Sequence, residues 1–252
     1  MGRTLIDGVI ASQDLALVAA LDVAGSPLIG QPAAPGSDVR IGDSLDVIGD
    51  ADVLIDFTRP AGSMAHLAKC VQLGRAIVIG TTGFSDAEKA TIEQAATRIP
   101  IVFSPNMSVG VNVALRLLQV AARALHEDYD IEIVEMHHRH KIDAPSGTAL
   151  RMGEVIAEAI GLSLDESAVY AREGVTGERK KSTIGFATLR GGDVVGEHTV
   201  MFAGAGERSE ITHRATSRNT FSGGALRAAR FLVGRSPGLY RMNDVLGLNA
   251  NG

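Results

Sequence analysis

Cysteine, aromatic residues and long apolar runs are scarce in this 252-residue chain. It has one cysteine, Cys70, and no tryptophan, and aromatic residues make up 4% of the sequence. One cysteine excludes an internal disulfide and is typical of a reducing compartment. No apolar run reaches the roughly 18 residues that a membrane helix needs, and the start, MGRTLIDGVIAS, lacks a secretory signal pattern. We therefore expect a cytoplasmic protein that makes no use of a membrane.

An excess of positive charge is also missing. The chain has 24 Lys and Arg against 29 Asp and Glu, and its basic residues are scattered along the sequence. This distribution gives no basic face, so nucleic acid is not an expected partner. The hydrophobic fraction of 45% is that of a globular protein, and the length suits one large domain or two smaller ones. Cys70 is best explained as an inert residue on a helix.

Short apolar segments alternate with helical segments in the first half of the chain. VLIDF (53–57) and AIVIG (76–80) are apolar nearly throughout, as strands buried on both faces of a parallel sheet should be. The intervening segment 60–74 begins with proline and ends with glycine, the order expected of a helix. Further elements are predicted for LALVAALD (15–22, strand), 85–98 (helix with a Ser85–Glu88 capping box), PIVFSPN (100–106, strand) and 109–127 (helix). The series predicts a parallel sheet.

The pattern changes after residue 128. A strand at 130–136 precedes a helix at 146–161, and three extended segments follow at 182–192, 194–204 and 207–215. Their glycine-rich connections predict hairpins and an antiparallel sheet. A last helix, 222–234, is expected to return to the first domain. The predicted fold is α/β: a Rossmann-type dinucleotide-binding domain (1–108 and 217–252) and an α+β domain (109–216).

Polar residues follow three of the predicted strands, where a parallel sheet gathers its ligands. Asp22 could accept hydrogen bonds from ribose hydroxyls, or it could cap a helix or face solvent. The turn Gly80-Thr81-Thr82-Gly83 could let a cofactor approach its backbone, or it could be an ordinary connection. In Ser104-Pro105-Asn106, the amide could bind a carboxamide or serve the loop itself.

Three of the seven histidines fall within four positions of the segment VEMHHRHKIDAPSGTAL (134–150). His137, His138 and His140 precede Lys141 and a helix start at Ser146-Gly147-Thr148. Histidine can transfer protons near neutral pH, and a helix N-terminus with a nearby cation binds anions. The cluster therefore predicts an anionic substrate that is protonated during the reaction.

A metal site and a solvent-facing loop are the alternatives to a proton-transfer role for this cluster. His138, His140 and Asp143 could ligate a metal ion, although the adjacent cations Arg139 and Lys141 would repel it, so no metal is expected. The histidines could also simply face solvent on a loop.

The segment EMHHRHKIDAPSGTA resembles the signature of the 4-hydroxy-tetrahydrodipicolinate reductase family. The resemblance extends over essentially the whole chain, through VLIDFTRP, VIGTTGF, NMSVGVN, REGVTGER and IGFATLRGGDVVGEHTVMF. It implies a Rossmann domain with a substrate and tetramerisation domain built on an open mixed sheet. It further implies a homotetramer in which a hydride from NAD(P)H reduces a small cyclic imine dicarboxylate to tetrahydrodipicolinate, on the diaminopimelate route to lysine.

The resemblance also implies roles for individual residues. His137 would be the acid–base residue and Lys141 the second proton donor. His138 would contact substrate, and Gly147 and Thr148 would bind a substrate carboxylate with Ser146 beside them. The residues implied at the cofactor are Met1, Asp22, Gly80, Thr81, Thr82, Ser104, Pro105, Asn106 and Met107.

The chain departs from the family pattern in two places. The family begins with a strand and a loop resembling G-x-x-G-R-M-G-R, and here only Met1-Gly2-Arg3 match its end. We therefore expect the natural protein to start roughly 15–20 residues earlier, the length of that strand and loop, which would fill a slot between segments 15–21 and 53–57. Many members carry an arginine after the ribose-binding acid, where this chain has Val23, so NADH should be favoured and NADPH remain possible.

Two further hypotheses are compatible with the sequence. The chain could be a different NAD(P)-dependent dehydrogenase of amino-acid metabolism, which a substrate panel would separate from the reductase. It could also be a non-catalytic protein that keeps the fold but binds no cofactor, which an NADH titration would reveal.

Overall fold

A computed structural model describes residues 1–217 and 219–249. The chain divides into two compact units: the first unit comprises Met1–Val109 and the segment from Asn219 onward, and the second begins at Gly110 and ends before Asn219. Residues 218 and 250–252, which the predicted domain boundaries include, lie outside the described residues.

The helices and strands, numbered along the chain, are α1 (Gly2–Ile10), β1 (Ala20–Leu21), β2 (Ile41–Gly42), β3 (Val53–Asp56), α2 (Pro60–Leu73), β4 (Ala76–Ile79), α3 (Asp86–Ala95), β5 (Pro100–Phe103), α4 (Val109–Leu125), β6 (Asp130–His137), α5 (Gly147–Ala159), α6 (Leu164–Ser167), β7 (Ala168–Val169), β8 (Ile184–Arg190), β9 (Gly196–Ala203), β10 (Arg208–Ala215), α7 (Asn219–Leu232), β11 (Gly238–Tyr240) and α8 (Met242–Leu246). A short 3-10 helix, Leu45–Asp50, precedes β3. No helix among these is long and apolar enough to cross a membrane.

The first unit contains a four-stranded parallel sheet with the order β11-β5-β4-β3. Ile77, Val78 and Ile79 of β4 are fully buried, which explains why the strand is apolar on both faces. The parallel Rossmann-like sheet predicted from the sequence is thus confirmed. Strand β11 was not predicted, because three residues give too short a pattern to be distinguished from a loop.

The segment LALVAALD forms less strand than expected. Within this segment, the ladder comprises Ala20 and Leu21, and they pair with β2 in a separate two-stranded sheet. The prediction of a strand over 15–22 was therefore too long, because a partner of two residues supports only two residues of ladder. Helix α1, which the sequence analysis did not predict, packs against α7.

Local end signals were predicted correctly for three helices. Helix α2 ends at Gly74, whose φ of 65° is the left-handed conformation that glycine adopts readily. Helix α3 has the predicted capping box, with the Ser85 hydroxyl accepting from the Glu88 amide and the Glu88 carboxylate accepting from the Ser85 amide. Helix α5 has Ser146 as its N-cap.

The second unit contains a mixed five-stranded sheet with the order β10-β9-β6-β8-β7. Strands β9 and β10 form the predicted antiparallel hairpin. The hairpin predicted between β8 and β9 is wrong, because β6 lies between them, parallel to β8 and antiparallel to β9. The glycine-rich link bonds instead to the end of β6: the Gly191 amide donates to the His137 carbonyl, and the His138 amide donates to the Val194 carbonyl.

One face of this sheet is covered by α4 and α5. Ile133, Val200 and Phe202 are fully buried on that face, together with Leu118 and Met152 of the two helices. Strand β6 alternates between buried and less buried positions, so its odd-numbered residues face this core. This alternation places the side chains of Glu135 and His137 on the covered face.

Candidate active site

The end of β6 puts two titratable side chains on the buried face of the sheet. Glu135 is 1% exposed and His137 is 8% exposed. Residues two apart on a strand point the same way, and the Nδ1 atom of His137 lies 2.6 Å from Oε2 of Glu135. A buried carboxylate in contact with an imidazole at a strand end is a common arrangement at catalytic sites.

Glu135 is held as an anion by the donors around it. Arg190 of β8 donates from Nη1 to Oε2 at 2.8 Å and from Nη2 to Oε1 at 2.9 Å. The backbone amide of Ser146 donates to Oε1 at 3.0 Å. Burial works to raise the pKa of Glu135, but the hydrogen bonds from Arg190, His137 and Ser146 outweigh it and hold the pKa below its ordinary value.

The ionised carboxylate determines which nitrogen of His137 carries the proton. A carboxylate without a proton can only accept, so Nδ1 of His137 must be the donor. The other ring nitrogen, Nε2, lies against Gly196, where an added Cβ would stand 2.9 Å away. Glycine at this position therefore lets the backbone of β9 pack close against the edge of the imidazole that carries Nε2.

The start of α5 adjoins this pair and can bind an anion. The Ser146 hydroxyl accepts from the Ala149 amide at 3.2 Å and so caps the helix. Gly147 is exposed, and an added Cβ there would meet nothing within 4 Å. The helix N-terminus carries partial positive charge. The open space at Gly147, next to Thr148 in the first turn, suits a carboxylate.

The loop between β6 and α5 carries the remaining residues of the cluster. The Lys141 ammonium contacts both carboxylate oxygens of Asp143 at 2.8 Å, and the ring centroids of His138 and His140 are 6.2 Å apart. Among the residues that the structure describes, there is no group of three or more His, Cys, Asp or Glu side chains that could hold a metal. The structure thus places His137 and Ser146 together through Glu135, whereas the Lys141 ammonium pairs with Asp143.

Sequence reasoning missed three residues of this site: Glu135, Arg190 and His198. The His198 ring lies 5.1 Å from that of His137, and its Nε2 is 2.8 Å from the Ser146 hydroxyl oxygen. Burial, followed by the positive charge of His137, lowers the pKa of His198 to about 4. The two-residue spacing of Glu135 and His137 on one strand could have revealed Glu135. Arg190 and His198 come from distant strands, and no local pattern identifies them.

In the first unit, the carboxyl ends of β4 and β5 carry most of the residues predicted to bind cofactor. A Cβ added to Gly80 would lie 2.3 Å from the Phe57 ring, so the backbone approach there requires glycine. The buried Thr81 hydroxyl accepts from Ser63 at 2.8 Å and lies 3.5 Å from Asp56. Thr81 thus supports the turn from inside, and the exposed Thr82 is the threonine available to a ligand.

The loop after β5 has an inner and an outer side. The Ser104 hydroxyl donates to the Asn106 carbonyl at 2.9 Å, and the Asn106 side-chain oxygen accepts from the Ser108 amide at 2.9 Å. Met107 is buried in the core of the first unit, whereas Pro105 is exposed. The loop is therefore held by its own hydrogen bonds, with Pro105 on its outer side.

Asp22 follows β1 and remains ionised. Its carboxylate accepts from the Ser26 hydroxyl at 2.7 Å and from the Val23 amide at 2.8 Å, and these hydrogen bonds lower its pKa. Each carboxylate oxygen has a second lone pair that a ribose hydroxyl could use. Val23 is 72% exposed, and Met1, 40% exposed, precedes α1. An ionised acid and a glycine-bounded turn, open at Gly83, fit a dinucleotide.

Comparison with known protein families covers both units. The family model for the dihydrodipicolinate reductase N-terminus matches residues 1–107, and the model for the C-terminus matches residues 110–246. A 4-hydroxy-tetrahydrodipicolinate reductase of Nitrosomonas europaea is 57% identical, with 98% of this chain and 94% of the relative covered. Another of Aromatoleum aromaticum is 58% identical, with 98% and 92% covered.

Solved structures give the same result for the fold. A dipicolinate-bound dihydrodipicolinate reductase from Paenisporosarcina sp. TG-14 is 25% identical, with a TM-score of 0.78 over 95% of this chain and 92% of the other. A probable dehydrogenase from Thermotoga maritima is 10% identical, with a TM-score of 0.61 over 96% and 88%. The second similarity concerns the fold alone.

Proposed function

This chain belongs to the dihydrodipicolinate reductase family, and from that membership we infer its reaction. It is an oxidoreductase that reduces 4-hydroxy-tetrahydrodipicolinate, via dihydrodipicolinate, to tetrahydrodipicolinate in the biosynthesis of diaminopimelate and lysine. It uses a pyridine nucleotide as the reductant. The observation that best supports a site for this chemistry is the buried Glu135–His137 pair beside the start of α5.

His137 and Lys141 are the proposed proton donors. A bound reduced pyridine nucleotide supplies a hydride, and hydride addition to a conjugated imine creates negative charge that must take up a proton. His137 holds a proton at Nε2 when its imidazole is charged, and Nε2 is the ring nitrogen that Glu135 does not engage. Lys141 adds a positive charge and a second donor on the same loop.

The substrate carboxylates have their proposed partners on α5 and on the loop. Gly147 and Thr148 lie in the first turn of α5, where backbone amides and the helix dipole favour an anion. His138 would contact the same substrate. The Ser146 hydroxyl is engaged with Ala149 and His198. Ser146 would therefore hold the turn in place beside the carboxylate that Gly147 and Thr148 bind.

The proposed function is tested by a substrate panel with the purified protein. Consumption of reduced pyridine nucleotide should depend on freshly generated 4-hydroxy-tetrahydrodipicolinate, and other imine and keto dicarboxylates should react far more slowly. A preference for another substrate would favour a different amino-acid dehydrogenase. Failure to bind NADH in a fluorescence titration would favour a non-catalytic protein.

We expect NADH to be preferred over NADPH. The ionised Asp22 can accept hydrogen bonds from ribose hydroxyls but repels a 2′-phosphate, and Val23 offers no compensating charge. Val23→Arg should raise kcat/KM for NADPH relative to NADH by about tenfold, equivalent to ~1.4 kcal/mol. Val233→Arg adds the same charge at another exposed valine of this unit and should leave the ratio unchanged. A clear NADPH preference in the unmodified protein would contradict the argument.

We propose a homotetramer assembled on the uncovered face of the five-stranded sheet. That face carries Val134 and Met136 of β6, Leu189 of β8 and Met201 of β9, and Leu189 is 50% exposed. The same face also carries Glu132, Glu197 and Thr199, and a symmetric assembly of identical chains would bury its exposed apolar side chains among these polar ones.

The oligomeric state should be visible by light scattering at micromolar concentration, with the mass of four 26.3 kDa chains. Leu189→Lys should reduce that mass because it introduces charge on the proposed interface. Leu117→Lys on helix α4 replaces a leucine of similar exposure, 51%, and should leave the mass unchanged. A monomeric unmodified protein would contradict the proposal.

We also place the enzyme in the cytoplasm, with a small dicarboxylate as its substrate. The location is supported by the chain's one cysteine, Cys70, which is buried and unpaired. A small anionic substrate is supported by the helix start at Gly147, and the scatter of basic residues along the sequence does not favour nucleic acid.

A further inference from the structure

Both carboxylate oxygens of Glu135 accept hydrogen bonds from several donors. Its two carboxylate oxygens accept from the His137 ring, the Arg190 guanidinium, the Ser146 amide and, at 3.4 Å, the Thr188 hydroxyl. The side chain is 1% exposed, so an unpaired donor or acceptor here would be costly. The arrangement requires a residue that accepts at both of its oxygens.

We propose that Glu135 is a positioning residue, which keeps neutral His137 in the tautomer with its proton on Nδ1 and so makes Nε2 the atom that exchanges a proton with the substrate. The tautomer follows from the contacts of Glu135 alone. Only its consequence for turnover rests on the proposed function.

The geometry gives a definite expectation for Glu135→Gln, which has nearly the same shape but only one acceptor oxygen. If the new NH₂ group takes the place of Oε1, it faces the Ser146 backbone amide, which cannot become an acceptor. If it takes the place of Oε2, it faces Nδ1 of His137. An imidazole nitrogen can become an acceptor by moving its proton to the other nitrogen.

The amide should therefore settle with its NH₂ group toward His137 and reverse the tautomer. Arg190 does not distinguish the two orientations, because it donates to both carboxylate oxygens. The substitution thus changes the protonated nitrogen of His137 without removing the histidine.

The test is ¹⁵N NMR of protein whose histidines are labelled with ¹⁵N. Spectra are recorded at a pH high enough for the His137 ring to be neutral. The His137 signals are assigned as those that disappear in His137→Gln. The unmodified protein should show neutral His137 with the proton on Nδ1, and Glu135→Gln should show it on Nε2. Glu154→Gln on α5 changes another arginine-paired glutamate of this unit and should show the unmodified tautomer. The same tautomer in the unmodified protein and in folded Glu135→Gln would overturn the proposal.

The spectrum of the unmodified protein and the reductase activity of the Glu135 variants complete the test. If Glu135→Gln does not fold, the spectrum of the unmodified protein still decides, because a proton on Nε2 of neutral His137 would overturn the proposal. In the reductase assay, kcat of Glu135→Gln should fall by roughly 10²- to 10⁴-fold, as expected when acid–base catalysis by the imidazole is lost, with KM within about twofold. Glu135→Asp, which keeps two acceptor oxygens, should recover part of kcat.

The positioning role and the proposed function can fail separately. An inactive unmodified protein with the Nδ1 tautomer would refute the reductase function and leave the positioning role intact. An active protein in which Glu135→Gln changes neither the tautomer nor kcat would refute the positioning role alone.

Discussion

Replacing His137 with glutamine should lower kcat by about 10²-fold or more, the usual loss when an acid–base group is removed. His137 is buried, is bonded through Nδ1 to an ionised carboxylate and has a second ring nitrogen that Glu135 does not engage. Glutamine is similar in size and can still bond to Glu135, but it cannot carry a transferable proton. The change should therefore reduce kcat with little effect on KM.

The matched control for this prediction is His140→Gln. His140 lies on the same loop, is exposed, and is not among the residues that contact Glu135 in the described structure. Its replacement should leave steady-state kinetics close to those of the unmodified protein. If His137→Gln retains near-normal turnover, His137 is not the acid–base residue. If both variants lose activity equally, the loop matters as a whole and the assignment to one histidine is wrong.

Lowering the pH from about 6.5 to 4 should destabilise the unmodified protein partly through His198. Burial lowers the pKa of His198 to about 4 from its ordinary 6.5. Between these values the unfolded chain takes up a proton that the folded chain does not. The free energy of unfolding therefore falls as the pH is lowered through this window, by roughly 3 kcal/mol for one such group.

His198→Gln should remove that contribution, since glutamine does not titrate and can reach the Ser146 hydroxyl from the position of Nε2. The measurement is urea unfolding at a fixed protein concentration at several pH values, comparing the pH dependence of the two proteins. Exposed His140→Gln should retain the unmodified slope. Equal slopes for His198→Gln and the unmodified protein would show that His198 is protonated in the folded state, contrary to the prediction.

Much of the fold could be predicted because its signals are local. Strands β3, β4 and β5 are apolar on both faces, and their predicted limits differ from the observed ones by three residues at most. Helix ends were also predictable, since the Ser85 capping box and Gly74 act within a few residues. The order of strands in the second unit was not predictable in this way. The glycine-rich link at 191–195 has the composition of a hairpin, and local composition does not show that β6 lies between the strands it joins.

The candidate site likewise has residues that the sequence could reveal and residues that it could not. His137 and Ser146 lie in one continuous segment, and the chemistry of histidine and of a helix start is visible in the sequence. Their connection through Glu135, and the contributions of Arg190 and His198, depend on pairing between β6, β8 and β9. Sequence reasoning thus identified the side chain that we propose to exchange the proton, and the structure was needed to find the carboxylate that we propose to orient it.

The central claim, that this chain transfers a hydride to the imine dicarboxylate, is tested most directly with NADH deuterated at the nicotinamide C4 position. The product should be analysed by mass spectrometry after a single incubation with freshly generated 4-hydroxy-tetrahydrodipicolinate. We predict that tetrahydrodipicolinate formed with one C4 epimer of the cofactor carries one deuterium, that the other epimer gives unlabelled product, and that His137→Gln forms far less of either. Unlabelled product from both epimers, or no product from the unmodified protein, would contradict the account.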